Sequence, residues 1–457
     1  MKGYTVREIA EAADGRITGS ADRYLDTVLT DISTDSRTCT SSSLFVPIVG
    51  ERVDAHRFIR QVLDGECICS LSSKEDTGYE GDKPVIMVDD TQKALIRIGR
   101  YCRERMNVPL VAVTGSVGKT TTRQMTAAAL SAYGKVFETK GNKNSQVGVP
   151  VTLFEYEDTY DITVMEAGVS LPGEMTKLSS MLKPDVAVFT NIGISHIEAL
   201  GSRRGILEEK MHIADSMKDG AYIVLNNEND LLKEYVPDER FNVIRYGLDP
   251  SCDVYAEDID KSGICPAFTA MVRGTGVRVS LSVPGDHQIL NALAALAVCS
   301  IEGCDLEKAA EAMGAYSGYA HRMQFVDAGD IRMLDDSYNA SPDSMKAGLT
   351  VLRDIEWSGR KIAVLADMRE LGESTDEAHR QIGAFIRDEH PADLVFTYGD
   401  RSELIGGDVH FSDKDELDRY LSQKTCSGDL IYFKGSNSMD LASSVDKLVK
   451  QRAESGR

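Results

Sequence analysis

The sequence predicts an α/β protein of several domains, and three observations carry that reading. Apolar strand segments alternate with helical stretches through most of the chain, the pattern of a mostly parallel sheet with helices on both faces. A glycine-rich turn, TGSVGKTTTRQM (114–125), joins one such strand to one such helix. The alternation pauses near GYAHRMQF and then restarts, and 457 residues are too many for a single core.

Taken in order, residues 1–84 mix short elements: an amphipathic helix in MKGYTVREIAEAADG, a strand in SSLFVPIVG and a helix in DAHRFIRQVLDG. A helix in TQKALIRIGRYCRER then leads into the strand VPLVAVTG and the glycine turn, opening a second domain over 85–317. Its further strands are ITVMEAG, PDVAVFTNIG and GAYIVLNNEND, and SVPGDHQILNALAALAVCSIEG reads as a turn followed by a buried helix. A third domain, 318–457, opens with IRMLDDSYNASPDSM and continues through the strands KIAVLADM, ADLVFTYGD and GDLIYFKGS. The tail VKQRAESGR reads as a polar helix end without function, and there are no internal repeats.

Composition narrows the function. Hydrophobic residues make up 42% and charged residues 27%, as in soluble globular proteins. A net charge of −21 argues against a general nucleic-acid or membrane-surface binder, so any phosphate must be held by a local cluster of donors. Nine scattered cysteines with no C-x-x-C pair fit neither a disulfide framework nor a zinc ribbon. The amino terminus lacks the apolar core of a signal peptide, and the longest apolar run, NALAALAVCSI, is too short to cross a bilayer. A reduced, cytoplasmic protein without membrane insertion is expected.

The glycine turn raises a specific question. A phosphate-binding loop usually reads G-x-x-x-x-G-K-[ST], and Val113 stands where its first glycine belongs. Gly115 and Gly118 allow close backbone approach, Lys119 supplies charge and Thr120 can hold a metal ion. An ordinary strand–helix turn is the alternative; the strand before it and the helix after it favour nucleotide. Glu166, at the carboxyl end of the next strand, sits where a Mg²⁺-organising acid is expected, or where a strand simply meets solvent. His196, just past another buried strand, reads equally as a structural histidine or a ligand. Lys210, among acidic neighbours on a helix, reads by itself as a solvated lysine.

Together these residues resemble the Mur ligases, ATP-dependent amide-forming enzymes of peptidoglycan precursor synthesis. That family uses a shortened T-G-[ST]-x-G-K-[ST]-[ST] loop, which TGSVGKTT matches. The resemblance covers essentially the whole chain. It implies a small α/β domain that binds the UDP end of the substrate, a central P-loop-type ATPase domain with a mostly parallel sheet, and a Rossmann-like third domain. TDSR (34–37) with LFVPIVGERVDAHRFI resembles the UDP-binding region, which implies substrate contacts for Ser36 and Arg37, and GNKNSQVGVP adds Asn144. The implied ATP-binding set is Gly115, Ser116, Val117, Gly118, Lys119, Thr120, Thr121, Asn291, Arg322 and Asp336, with His287 near the adenine. Two Mg²⁺ ions would be held by Thr120, Glu166, His196 and Lys210, the lysine carbamylated by CO₂ into an acidic ligand. Lys119, Glu166, His196 and Lys210 would form the catalytic set.

Within the family, DSYNASPDSM, ADMRELGE, AHRQIG and FKGSNSMD resemble the branch that adds D-alanyl-D-alanine to UDP-N-acetylmuramoyl-tripeptide. Tyr338 and Asn339 would then lie toward the acceptor in a closed cleft, and a bacterial, monomeric enzyme is expected. Several positions depart from the branch: Ala167 for methionine, Ser145 and Ser341 for asparagines, His212 for glutamate and Asn437 for arginine. The alternatives are a tripeptide-forming ligase adding lysine or diaminopimelate, and a P-loop NTPase switch or binding protein.

Overall fold

The computed structural model describes residues 3–18, 21–50, 52–260 and 262–454; of the stretches quoted above, Met1, Lys2, Glu51 and residues 455–457 lie outside these. By spatial contact the chain divides into two compact units.

The first unit comprises Met1–Thr114, Gly134–Ala187 and Lys210–Tyr222. Its opening helix, Val6–Ala12, starts at a capping box in which Thr5 and Glu8 satisfy each other's backbone N–H groups. A five-stranded sheet follows, in the order Arg16–Thr18, Val85–Met87, Cys69–Ser72, Ser43–Phe45, Asp31–Ser33. The first pair is antiparallel and the others are parallel. The stretch DAHRFIRQVLDG becomes a short 3₁₀ turn, Ala55–Phe58, and a helix, Ile59–Asp64, whose Ile59, Val62 and Leu63 pack with Phe45 and Val85. Asp90 caps the helix Thr91–Glu104. Three parallel strands then carry the chemistry-bearing ends: Ile162–Glu166 lies between Leu110–Thr114 and Val136–Glu138. Every residue of Leu110–Thr114 and Ile162–Glu166 is buried, as expected of parallel strands covered on both faces.

The second unit comprises Gly115–Tyr133, Val188–Glu209 and Ile223–Arg457. The helix Lys119–Leu130 packs against His287–Ile301 and Leu306–Gly314. Asn242–Gly247 runs parallel to Val254–Asp260, which then opens an antiparallel meander through Ala267–Val272 and Thr275–Ser280. The meander adds to the mostly parallel sheet read from the sequence. Its residues alternate between buried (Phe268, Ala270, Val272) and half-buried, the mark of strands covered on one face only.

The last sheet has six strands in the order Gln324–Ala328, Ile331–Asp335, Leu430–Lys434, Lys361–Ala366, Leu394–Tyr398, Val409–Phe411. Only the Gln324–Ala328 edge is antiparallel. Both faces are covered: Ala363 and Leu365 pack with Leu349, Leu352 and Ile382, while Ile362 and Val364 pack with Leu417, Leu421 and Leu448 on the other side. The tail helix Leu441–Glu454 belongs to this core, and its Arg452 is buried, donating to Asp330 and to the Thr425 carbonyl. The part of the tail within the described residues is therefore a structural clamp. Among the described residues no helix is long and apolar enough to cross a membrane.

Candidate active site

The strand Leu110–Thr114 runs directly into the loop 115–118 and the helix Lys119–Leu130. Two glycines shape the loop. At Gly115 (φ +151°) a Cβ would lie 2.0 Å from the Thr190 hydroxyl. At Gly118 (φ +82°), left-handed backbone opens the helix without any side-chain cap. The loop is fastened from behind: Thr190 Oγ1 donates to the Val117 carbonyl (2.5 Å), the Ser116 N–H to the Asn191 carbonyl (2.8 Å), and the Gly193 N–H to Ser116 Oγ (3.0 Å). Lys119 Nζ curls over the loop to the carbonyls of Gly115 (2.8 Å) and Ser116 (3.3 Å). A cation is thus placed over a helix amino terminus, an arrangement suited to a polyphosphate.

Asn291 meets this loop and its helix, and further expected residues lie within the same unit. Thr122, in the first turn of the helix, donates to Asn291 Oδ1 (2.9 Å), and Gln288 holds the Asn291 amide (2.8 Å). A Cβ on Gly193 would meet Asp343 Oδ2 at 2.5 Å, so the first turn of the helix Pro342–Asp354 also reaches the loop segment. In the turn between the Ile331–Asp335 strand and this helix, the Asp336 carboxylate pairs with buried Lys434 and accepts from Tyr432 (3.3 Å). Burial pushes the His287 imidazole below its ordinary value, with nearby Asp336 and Lys434 acting on it in opposite senses. The Arg322 guanidinium lies over the Tyr338 ring, 4.0 Å from its centroid, and its buried Nε has no hydrogen-bond partner. A buried orphan donor on a cation is what an anionic ligand would satisfy. Arg322 sits between two left-handed residues, His321 and Met323, and His321 Nδ1 is 2.7 Å from buried Asp335. Asn339 offers its carbonyl to Lys434 (3.1 Å), and Asn437 donates to the Tyr338 carbonyl (3.2 Å) in the place of the expected arginine.

His196 initiates the short helix Ile197–Leu200 in left-handed backbone (φ +62°). Its Nδ1 meets Glu370 Oε2 at 2.6 Å, and that hydrogen bond holds the Glu370 carboxyl below the usual carboxylate range.

The remaining expected residues belong to the other unit. Glu166 ends its strand in register with Val113, one residue before that strand's own end. Only 2% exposed, it is no solvated strand end. Asn144 Nδ2 donates to its carboxylate (2.7 Å), and its own N–H goes to Thr139 (2.9 Å). Lys210 is 1% exposed, contrary to the reading of a solvated lysine. His212, two residues on, pairs with Asp215 (3.0 Å). Arg37 forks onto Asp35 (2.9 and 2.6 Å) in the turn that also holds Ser36 and keeps that carboxyl at about 2. Among the described residues no three His, Cys, Asp or Glu side chains gather as a metal-binding group. Thr120 in one unit and buried Glu166 in the other each carry the hard oxygen atoms that Mg²⁺ prefers.

Comparison with known proteins decides the family. Residues 113–299 match the Mur ligase middle domain, and residues 321–437 match the Mur ligase glutamate ligase domain. The UDP-N-acetylmuramoyl-tripeptide–D-alanyl-D-alanine ligase of Bacillus subtilis is 33% identical over 98% of both chains. The chain belongs to the Mur ligase family. Among solved structures this Mur ligase resembles MurF from Acinetobacter baumannii (TM-score 0.88, 27% identity, 98% of this chain and 99% of that one). It also resembles MurF from Thermotoga maritima in complex with ADP (TM-score 0.81, 26% identity, 93% and 98%). The shortened loop lies inside the matched middle domain.

Four residues around the loop, Asp336 and His196 escaped the sequence reading. Thr190 and Asn191 carried a signal, since they directly follow a buried strand in the α/β alternation. Lys434 closes another strand, and its pairing with Asp336 could have been suspected from the parallel neighbours. Glu370 had no signal in spacing, because its role depends on the fold bringing it to His196.

Proposed function

We propose that this Mur ligase joins D-alanyl-D-alanine to UDP-N-acetylmuramoyl-tripeptide, driven by ATP, giving the UDP-linked pentapeptide. The observation that carries this reading is near-full-length similarity to ligases of that name, together with an uncapped, lysine-covered phosphate loop. A carboxylate does not acylate an amine at neutral pH, because oxide is too poor a leaving group. The terminal carboxylate of the tripeptide would attack the γ-phosphorus of ATP, releasing ADP and forming an acyl phosphate. The amine of D-alanyl-D-alanine then adds to the acyl carbon, and the tetrahedral intermediate expels phosphate.

The chain's residues divide this work. The backbone of 115–121 and the Lys119 ammonium neutralise the β- and γ-phosphates. Arg322 supplies its unpartnered Nε to the nucleotide, and Asn291 and Asp336 orient the adenosine. Ser36, Arg37 and Asn144 contact the UDP-substrate, while Tyr338 and Asn339 face the acceptor. Thr120 and Glu166 would hold one Mg²⁺, and His196 with Lys210 a second. Mg²⁺, when bound, supplies charge neutralisation between the polyanions. Addition of CO₂ to Lys210, with loss of two protons from its ammonium form, would turn a cation into an anionic oxygen ligand. Domains at 1–84, 85–317 and 318–457, in a monomer, would close around the substrates to exclude water. A bacterial cytoplasmic location fits a reaction that consumes ATP and a UDP-linked substrate.

The test is phosphate release from UDP-tripeptide and ATP with D-alanyl-D-alanine, against UDP-dipeptide with lysine or diaminopimelate. Release with D-alanyl-D-alanine alone is expected; release with the L-amino acid alone overturns the assignment, and ATP hydrolysis without any UDP-peptide indicates an NTPase. Lys210→Ala should lower turnover about a hundred-fold, with partial recovery in formate or acetate. Unchanged turnover in that variant would remove the lysine from the reaction centre.

A further inference from the structure

Glu370 is exposed over much of its side chain, and His196 is partly so. An exposed ion pair returns little stability, yet both partners hold left-handed backbone that non-glycine residues seldom adopt (φ +62° and +64°). The pair thus joins two residues in sparsely populated backbone, a conformation that gathers at sites of function. The strand Lys361–Ala366 delivers Glu370 on a firmly held turn. The Met368 N–H donates to His379 Nε2 (3.1 Å) and the Arg369 N–H to Ser436 Oγ (2.8 Å). Two residues past Glu370, a Cβ on Gly372 would come within 3.1 Å of Glu198, so the turn is seated on the helix that His196 initiates.

We propose that Glu370 is a positioning residue for the ligation, accepting a hydrogen bond from Nδ1–H of His196 and so fixing the imidazole tautomer that leaves Nε2 as the electron-pair donor. This rests on the reading that His196 serves the metal-bound phosphates. Imidazoles that hold metals commonly give their other N–H to a carboxylate, which fixes the ring and raises its basicity. The same segment contains a worked example of the tautomer: His379 donates Nδ1–H to the Thr375 carbonyl (2.7 Å) and accepts at Nε2. The carboxylate would link the turn after the Lys361–Ala366 strand to the histidine of the phosphate-binding region.

The experiment is ¹⁵N–¹H correlation of ¹⁵N-histidine-labelled full-length protein without nucleotide, at about pH 8.5, where imidazoles are ordinarily neutral. His196 is identified by its loss in His196→Asn, and His379 serves as the internal Nδ1–H reference. His196 is expected as the Nδ1–H tautomer in the wild type and as predominantly Nε2–H in Glu370→Ala. Turnover in Glu370→Ala should fall about ten- to a hundred-fold with unchanged melting temperature. Glu370→Gln, whose amide oxygen can still accept, should restore the tautomer and most of the turnover. An Nε2–H wild-type spectrum overturns the proposal, as does a Glu370→Ala spectrum identical to wild type. If the wild type shows the Nδ1–H form but never releases phosphate with D-alanyl-D-alanine, the ligase reading fails while the tautomer assignment stands.

Discussion

The helices Val6–Ala12 and Lys119–Leu130 begin in opposite ways. At the first, Thr5 Oγ1 accepts the Glu8 N–H (3.2 Å) and Glu8 returns the favour to the Thr5 N–H (2.8 Å). At the second, Gly118 offers no side chain at all, and the neighbouring ammonium bends over the loop carbonyls. A helix whose task is to fill a core has its end closed by its own residues. A helix whose end is to meet a phosphate keeps side chains away from it and surrounds the opening with cation and backbone.

That contrast can be broken at four points. Removing the cation should have the largest effect: Lys119→Ala is expected to cut phosphate release about a thousand-fold while circular dichroism and melting temperature stay at wild-type values. Closing the open end comes next. Gly118→Ser would place a side chain against Asn291 in left-handed backbone, and nucleotide affinity by calorimetry should fall about ten-fold. Its denaturation midpoint should report a loss of about 1 kcal/mol. Opening the closed end is a milder change: Thr5→Ala should cost about 1 kcal/mol in urea unfolding and leave kcat and KM for ATP untouched. The smallest effect depends on pH. The Thr5 N–H, with help from Arg105, holds the Glu8 carboxyl at about 2, below its ordinary 4.5. Its contribution is present at neutral pH and fades as pH falls through that interval. The stability difference between wild type and Glu8→Gln should thus narrow steadily below about pH 4.5; a difference that widens on acidification would assign Glu8 a different partner.

The same contrast explains what the sequence disclosed. The strands at Leu110–Thr114, Ile162–Glu166, Val186–Phe189 and Tyr222–Asn226 are apolar runs ending in turn residues, and all were legible. So were the loop glycines, because left-handed backbone and close approach leave few other choices. The meander from Val254 to Ser280 was missed: its strands are half-exposed, and polar residues such as Glu257, Asp258 and Arg278 dilute the apolar signal. Lys210 illustrates a different limit. Its neighbours are charged, so the sequence suggests solvent, and only the fold reveals that it is buried. Glu370 lies beyond local reasoning altogether, since 174 residues separate it from the histidine it meets.

The helix His287–Ile301 has a consequence for how this protein can change over time. Ala292, Ala294, Ala295 and Ala297 are completely buried, and the helix is enclosed by the Lys119–Leu130 helix and by strands of the meander. Growth of any of these alanines must displace either the phosphate loop's own helix or the sheet behind it. Selection for nucleotide binding therefore reaches methyl groups that no nucleotide touches. A random library over residues 292–297, recovered by growth, should return small side chains at these alanines and far greater variety on the open faces of the molecule.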